Sequence, residues 1–166
     1  MVKKYFTFTL LTLTFLIAGC SFYPRGSGLQ ALALQLPEVM LQPYQPYEMN
    51  QRLLRTALLQ AGVQVKNEGT YPILKITRNE LSTRPLIYGP NAEVRQQRLK
   101  LEIDYVLLNA KKEDWIALHT LTVEREQILD PNYTLGDAQE KAFLEQEMRM
   151  EIFQNLVYQL TILLKN

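Results

Sequence analysis

The sequence predicts an α+β domain in which two helices pack on one face of a roughly four-stranded, mixed but mainly antiparallel sheet, in the order β-α-β-β-β-α. Three observations predict it. Three long central segments alternate apolar and polar residues with a period of two. Two other segments repeat their apolar residues every three or four positions, and polar or Gly/Pro-containing turns separate the pieces at hairpin spacing.

Leu32, Leu34 and Leu36 alternate with Ala31, Ala33 and Gln35, and Pro37 limits the run, which predicts a first strand. Pro43 and Pro46, beside Tyr44 and Tyr47, mark a loop. Leu53, Leu54, Ala57, Leu58 and Ala61 recur at helical spacing and predict an amphipathic helix from Tyr47 to Ala61, ended by Gly62. Val63-Gln64-Val65 either extends the sheet or leads out of that helix. Strands follow over Tyr71 to Thr83, Val94 to Asn109 and Trp115 to Leu129, the last two joined by the polar turn Ala110 to Asp114. In the second of these, Leu99, Leu101, Ile103, Tyr105 and Leu107 share one face, and Arg98, Lys100, Glu102 and Asp104 the other. The sheet should therefore have one buried and one wet side. Leu144, Met148, Ile152, Leu156, Leu160 and Leu163 predict a last helix from Asp137 to Leu164, with Asp137 and Glu140 as a capping box and the C-terminal half the better buried.

The N-terminus puts this domain on an exported chain. Lys3 and Lys4 precede an uncharged run from Tyr5 to Ala18, and Ala18-Gly19 places small side chains before Cys20, the pattern of a secretion signal. The run is short for a transmembrane helix, which needs roughly 18 to 20 apolar residues, and four threonines interrupt it. Ile17-Ala18-Gly19-Cys20 looks like a lipobox, at which diacylglycerol is joined to the cysteine sulfur and the chain is cleaved before it. Cys20 is the only cysteine, and an exported chain rarely keeps a lone free thiol. The expected layout is a cleaved signal peptide over 1–19, lipidated Cys20 and a short linker over 20–28, and a single domain over 29–166. Burying acyl methylenes at about 0.8 kcal/mol each makes two or three chains a lasting anchor. Ser21, where Asp would retain the chain at the inner membrane, implies the outer membrane by the enterobacterial sorting rule. A linker of eight residues spans at most about 29 Å, so the domain is expected to work close to the membrane.

Removing residues 1–19 takes away Lys3 and Lys4 and leaves 16 basic against 17 acidic residues, so nucleic acid is not an implied partner. Catalytic chemistry finds little support. The single histidine, His119, lies inside a predicted strand with no second His or Cys nearby, which excludes the common zinc spacings and assigns it a structural role. Nucleophile elbows, Walker loops and dinucleotide fingerprints are missing, and no cofactor is implied. A two-carboxylate glycosidase is not excluded, but nothing favours it. Trp115 is assigned to the core.

Four features in order along the chain carry a family resemblance. Cys20-Ser-Phe-Tyr-Pro-Arg-Gly26 matches a family opening at Phe22, Arg25 and Gly26, departing at Ser21, Tyr23 and Pro24. Tyr88-Gly89-Pro90 leads to Ala92-Glu93 and a long strand, with Val94 in place of the family's Tyr. Arg125 ends a strand before Asp130-Pro131-Asn132 and the last helix, whose start, Glu140 to Met150, is acidic and contains Met. Together these resemble the LPS-assembly lipoprotein family LptE (RlpB) over nearly the whole mature chain. The resemblance implies a non-enzymatic outer-membrane lipoprotein on the periplasmic side, seated in the lumen of an LptD-type β-barrel. It would plug the barrel and assist its folding, with lipopolysaccharide as a candidate ligand. The alternatives are an auxiliary lipoprotein of a phospholipid transporter and, third, a periplasmic lipoprotein enzyme.

Lipopolysaccharide carries phosphates, for which Arg and Lys are charge-assisted donors. Arg78, Arg84, Arg95, Arg98 and Lys100 cluster in or beside two neighbouring strands. They are candidates for contact with lipopolysaccharide or with acidic groups of the barrel wall. The competing reading is a solvated face balanced by Glu93, Glu102 and Asp104. Tyr88, Gly89 and Pro90 form a candidate partner-contact loop, since an aromatic side chain on a turn makes a good anchor; the alternative is an idle loop tip.

Overall fold

The computed structural model describes residues 33, 35–42 and 48–165. The expected signal peptide, Cys20 and the linker lie outside the described residues, as do Leu32, Leu34 and the Pro43–Tyr47 loop. The elements are β1 (Glu38–Gln42), α1 (Glu48–Gln60), β2 (Gln64–Lys66), β3 (Ile73–Tyr88), β4 (Val94–Leu108), β5 (Asp114–Ile128) and α2 (Thr134–Leu163). They make a five-stranded mixed sheet in the order β2-β1-β3-β4-β5, in which β1 runs parallel to both of its neighbours and β3, β4 and β5 are antiparallel.

The α+β class and the antiparallel meander are as expected, and the strand count rises by one. Val63-Gln64-Val65 does extend the sheet, through Gln64 and Val65 in β2 beside β1. The first strand was expected over Leu32 to Leu36; it lies instead beyond Pro37. Ala33 and Gln35 are helical, consistent with the high helix propensity of Ala, Leu and Gln in that run. Leu36 is buried by packing rather than by strand pairing.

The alternation in β4 decides where the core sits. Leu99, Leu101, Ile103, Tyr105 and Leu107 are all fully buried beneath the helices. Leu54 and Leu58 from α1, Ala61 just after it, and Met148, Ile152, Phe153, Leu156, Val157 and Leu160 from α2 complete the same core, all of the α2 set from its middle and C-terminal part. Each large apolar side chain buried this way contributes about 1.5–3 kcal/mol. Tyr105 keeps its hydroxyl satisfied by donating to Gln159 Oε1 at 3.1 Å, and burial pushes its phenol up to about 12. Gly62 ends α1 with φ +81°, a left-handed C-terminal cap that suits glycine.

Two boundaries differ for physical reasons. β3 continues five residues past Thr83, through Pro85 to Tyr88. Because β1 stops pairing with it at Lys75, the far part of β3 is an edge on that side among the described residues, where a missing N–H is tolerated. The Asp137/Glu140 capping box does not form. The helix begins at Thr134, and Asp137 Oδ2 instead accepts from the Asp130 N–H at 3.0 Å, tying down the preceding loop. Glu140 accepts from Nε2 of Gln127, a buried side chain that also donates to Asp137 O.

Trp115 is not in the core: it is 46% exposed. A register irregularity in β5 pairs Leu107 with Ile116 while Tyr105 pairs with His119, so Ile116 takes the inward position and Trp115 turns to the opposite face. Leu101→Ala should lower unfolding free energy by about 2–5 kcal/mol in urea titrations. Leu135→Ala, on an exposed position of α2, should change it by less than about 0.5 kcal/mol.

Candidate functional site: the open face of the β3–β5 ribbon

Opposed residues in antiparallel strands share a face, so the register orders the uncovered side of the sheet into rows. From the β3–β4 turn inward these are Ile87, Gln96 and Ile128; Arg84, Arg98 and Glu126; Ser82, Lys100 and Glu124; Glu80, Glu102 and Thr122; and Arg78, Asp104 and Thr120. Four of the five expected cations, Arg78, Arg84, Arg98 and Lys100, are brought together here. Arg95 is on the other side of β4.

Most of these cations already have carboxylate partners. Arg78 donates through Nε to Asp104 Oδ2 at 2.8 Å and lies 3.7 Å from Glu102 and 3.6 Å from Glu80. Arg98 reaches Glu126 at 2.7 Å and Glu124 at 3.6 Å, and Lys100 reaches Glu102 at 3.1 Å. The hydrogen bond to Asp104 raises the Arg78 pKa, and the one to Glu126 raises that of Arg98. Glu102 and Asp104 were legible as counter-charges in the sequence. Glu80, Glu124 and Glu126 were not singled out, although Glu124 and Glu126 stand two residues apart on a strand, the spacing that shares a face. Arg84 has no ion-pair partner among the described residues, and it stands directly opposite Arg98, a like charge.

Asp104 is the best-held acid of the face. Burial acts to raise its pKa, but hydrogen bonds from Arg78 and from Thr120 Oγ1, the latter at 2.7 Å, together with the Arg78 charge, hold it below the usual carboxylate value.

The Tyr88-Gly89-Pro90 segment lies at the tip. Tyr88 is the last residue of β3 and is 60% exposed, with exposed Ile87 and Ile128 close by. The turn is closed by Gly89 N–H to Glu93 O at 2.8 Å. The Glu93 carboxylate accepts from the Asn91 N–H at 2.9 Å and pairs with Arg95 at 2.8 Å. A Cβ on Gly89 would collide with that carboxylate, so a larger residue there would push the Glu93 side chain, and with it Arg95, out of this arrangement. Arg95 is thereby committed to shaping the turn.

His119 is half-buried, with Nδ1 2.8 Å from Ala117 O and its ring 5.9 Å from that of Tyr105. On the helix side, a small recess of about 180 Å³ is lined by Asn50, Asn79, Leu81 and Arg149, with Arg149 donating to Asn50 Oδ1 at 3.0 Å. It is smaller than the several hundred Å³ typical of ligand sites, and no carboxylate lines it among the described residues. The described residues hold no cluster of three or more metal-ligating side chains, and none of their helices is long and apolar enough to cross a membrane.

Two helices over one face of an open mixed sheet is a fold shared with small bacterial lipoproteins. Rare lipoprotein B from Shewanella oneidensis is similar at 21% identity and TM-score 0.63, over 74% of this chain and 91% of that one. A minor lipoprotein from Acinetobacter baumannii is similar at 17% identity and TM-score 0.66, over 75% and 90%. Lipoprotein B from Nitrosomonas europaea is similar at 19% identity and TM-score 0.66, over 75% and 81%. No curated protein matches the sequence. The family model for lipopolysaccharide assembly, LptE, matches residues 38–160, from the first residue of β1 to the last turns of α2. The chain belongs to the LptE family, as the sequence resemblance implied.

Asp104 should make folding stability acid-sensitive. Its folded pKa is depressed below an unfolded value of about 3.9, so its contribution is complete above that pH and is lost as pH falls through the folded value. Asp104→Asn should cost about 1–2 kcal/mol at neutral pH and flatten the acid limb of a urea-midpoint profile.

Proposed function

We propose that this chain is a non-enzymatic lipoprotein of the outer membrane that seats in an LptD-type β-barrel, assists its folding and presents the open face of β3–β5 to lipopolysaccharide or to the barrel wall. The observation that carries the reading is that open face, charged and largely ion-paired over three strands, in a chain of a lipopolysaccharide-assembly family. A plug in a polar lumen needs a mixed, hydrated surface without one large apolar patch. The open face meets that need, since its exposed apolar side chains sit at its two ends, Ile87, Tyr88 and Ile128 at one and Trp115 and Leu118 at the other.

Within the cation cluster, Arg84 is the residue best suited to an external phosphate. Arg78, Arg98 and Lys100 would each have to share or release a carboxylate, whereas Arg84 has no ion-pair partner among the described residues. Ile87, Tyr88 and Ile128 flank it on the tip side and supply apolar contact for a lipid or a barrel loop. Cys20 supplies the anchor.

Affinity purification from solubilised membranes, read by mass spectrometry, should recover a large outer-membrane β-barrel; recovery of inner-membrane transport subunits instead would assign the chain to phospholipid transport. Replacing Arg84, Arg98 and Lys100 together by Gln should weaken lipopolysaccharide binding about tenfold, with Arg84→Gln alone producing most of the loss. Unchanged binding and unchanged barrel recovery would remove the cation cluster from the proposal. Tyr88→Ala should reduce barrel recovery, and wild-type recovery would count against the tip as an anchor.

A further inference from the structure

The two ends of the sheet differ in chemistry, and the end that receives the N-terminal segment is the one suited to a lipid surface. Met40 pairs with Ile73, Ile73 with Leu108, and Leu108 with Asp114, so the start of β1 and the Asn109–Glu113 turn share one end. Pro37 O accepts from the Gln64 N–H at 2.8 Å there, and a Cβ on Gly62 would stand 3.0 Å from the Cβ of Ala33. The chain upstream of Ala33 therefore joins the domain at this end. Tyr88 lies at the other, fifteen residues along β3 from Ile73, or about 50 Å at about 3.3 Å per residue.

Beside that turn, on the open face, Trp115 is 46% and Leu118 is 60% exposed, next to half-buried Val106 and Leu108. Lys111 and Lys112 are exposed in the turn, and Lys75 stands opposite Val106 on the same face. The acids here are Glu113 and Asp114, exposed Glu68 in the connection that enters β3, and Glu38, which is paired with Lys66 at 3.0 Å. The Glu113 carboxylate accepts from Asn109 Nδ2 at 2.9 Å, which keeps it on the turn.

We propose that this end of the domain, left outside the lumen at the periplasmic rim when the Tyr88 end is seated in the barrel, rests on the headgroup layer of a bilayer containing anionic lipid. Trp115 and Leu118 enter the interface, and Lys75, Lys111 and Lys112 meet headgroup phosphates. Tryptophan favours this layer because its ring is apolar and its N–H wants a polar partner, and lysines are drawn to anionic lipid. The inference rests on the reading of Cys20 as the lipid anchor. The thirteen residues from Cys20 to Ala33 span at most about 47 Å, so the anchor keeps this end within that distance of the bilayer, and a domain standing upright on its Tyr88 tip would exceed the reach.

Trp115 is the only tryptophan, so its fluorescence reports this contact alone. The lipidated chain, purified from membranes and reconstituted in phosphatidylethanolamine/phosphatidylglycerol vesicles, should show blue-shifted emission and lose about half of it when the lipids are brominated near the headgroup. Lys111→Gln with Lys112→Gln, or Leu118→Gln at its exposed site, should reduce that quenching. An anchored chain whose Trp115 keeps aqueous emission and is not quenched overturns the proposal. A blue shift that appears only on adding lipopolysaccharide or the purified barrel overturns it too, and assigns Trp115 to that partner. The mass of the N-terminal peptide tests the anchor separately; a peptide lacking diacylglycerol overturns the anchor and this placement with it.

Discussion

Alternation along β4 is the constraint on which the remaining structure depends. A strand sends successive side chains to opposite faces, so Leu99, Leu101, Ile103, Tyr105 and Leu107 cannot be buried unless Arg98, Lys100, Glu102 and Asp104 all face away. Covering the apolar side takes both helices. The opposite face is left to water or to a partner, and a slip of one residue would put four charges in the core.

Charge on that uncovered face is organised by register as much as by composition. The antiparallel pairing sets Asp104 opposite Arg78 and Glu126 opposite Arg98, which converts a row of cations into a lattice of ion pairs. Exposed pairs of this kind add little stability each. Their larger effect is on recognition, because a paired arginine must give up or share its carboxylate before it can bind an external phosphate. Arg84 has a second arginine opposite it and no acid among its described partners, so it stands apart from residues that look identical in the sequence.

The sheet is also polar along its length. β1 and β2 are short and sit at the end where the N-terminal segment joins, while β3, β4 and β5 run on as a three-stranded ribbon toward the Tyr88 turn. One end thus carries Trp115, Leu118 and the lysine turn, and the other Ile87, Tyr88, Ile128 and Arg84. An anchor at Cys20 would give these ends different neighbours, a bilayer surface for one and more distant partners for the other.

Local periodicity and turn chemistry by themselves determined the class of fold, the three-stranded meander, both main helices and the one-sided burial of β4. They did so because strong amphipathic patterns of ten or more residues leave few alternatives. The lipobox-like tetrad and the family resemblance were legible for the same reason, as residue types at fixed spacing. Tertiary structure alone decided the rest. Leu32 to Leu36 alternate convincingly, yet the pairing strand is Glu38–Gln42, because parallel strands find their register through distant partners. Trp115 reads as core until a one-residue irregularity in β5 hands its place to Ile116. The difference between Arg84 and Arg98 likewise depends on which residues of β4 and β5 stand beside them, a fact set by long-range pairing that no window of sequence contains.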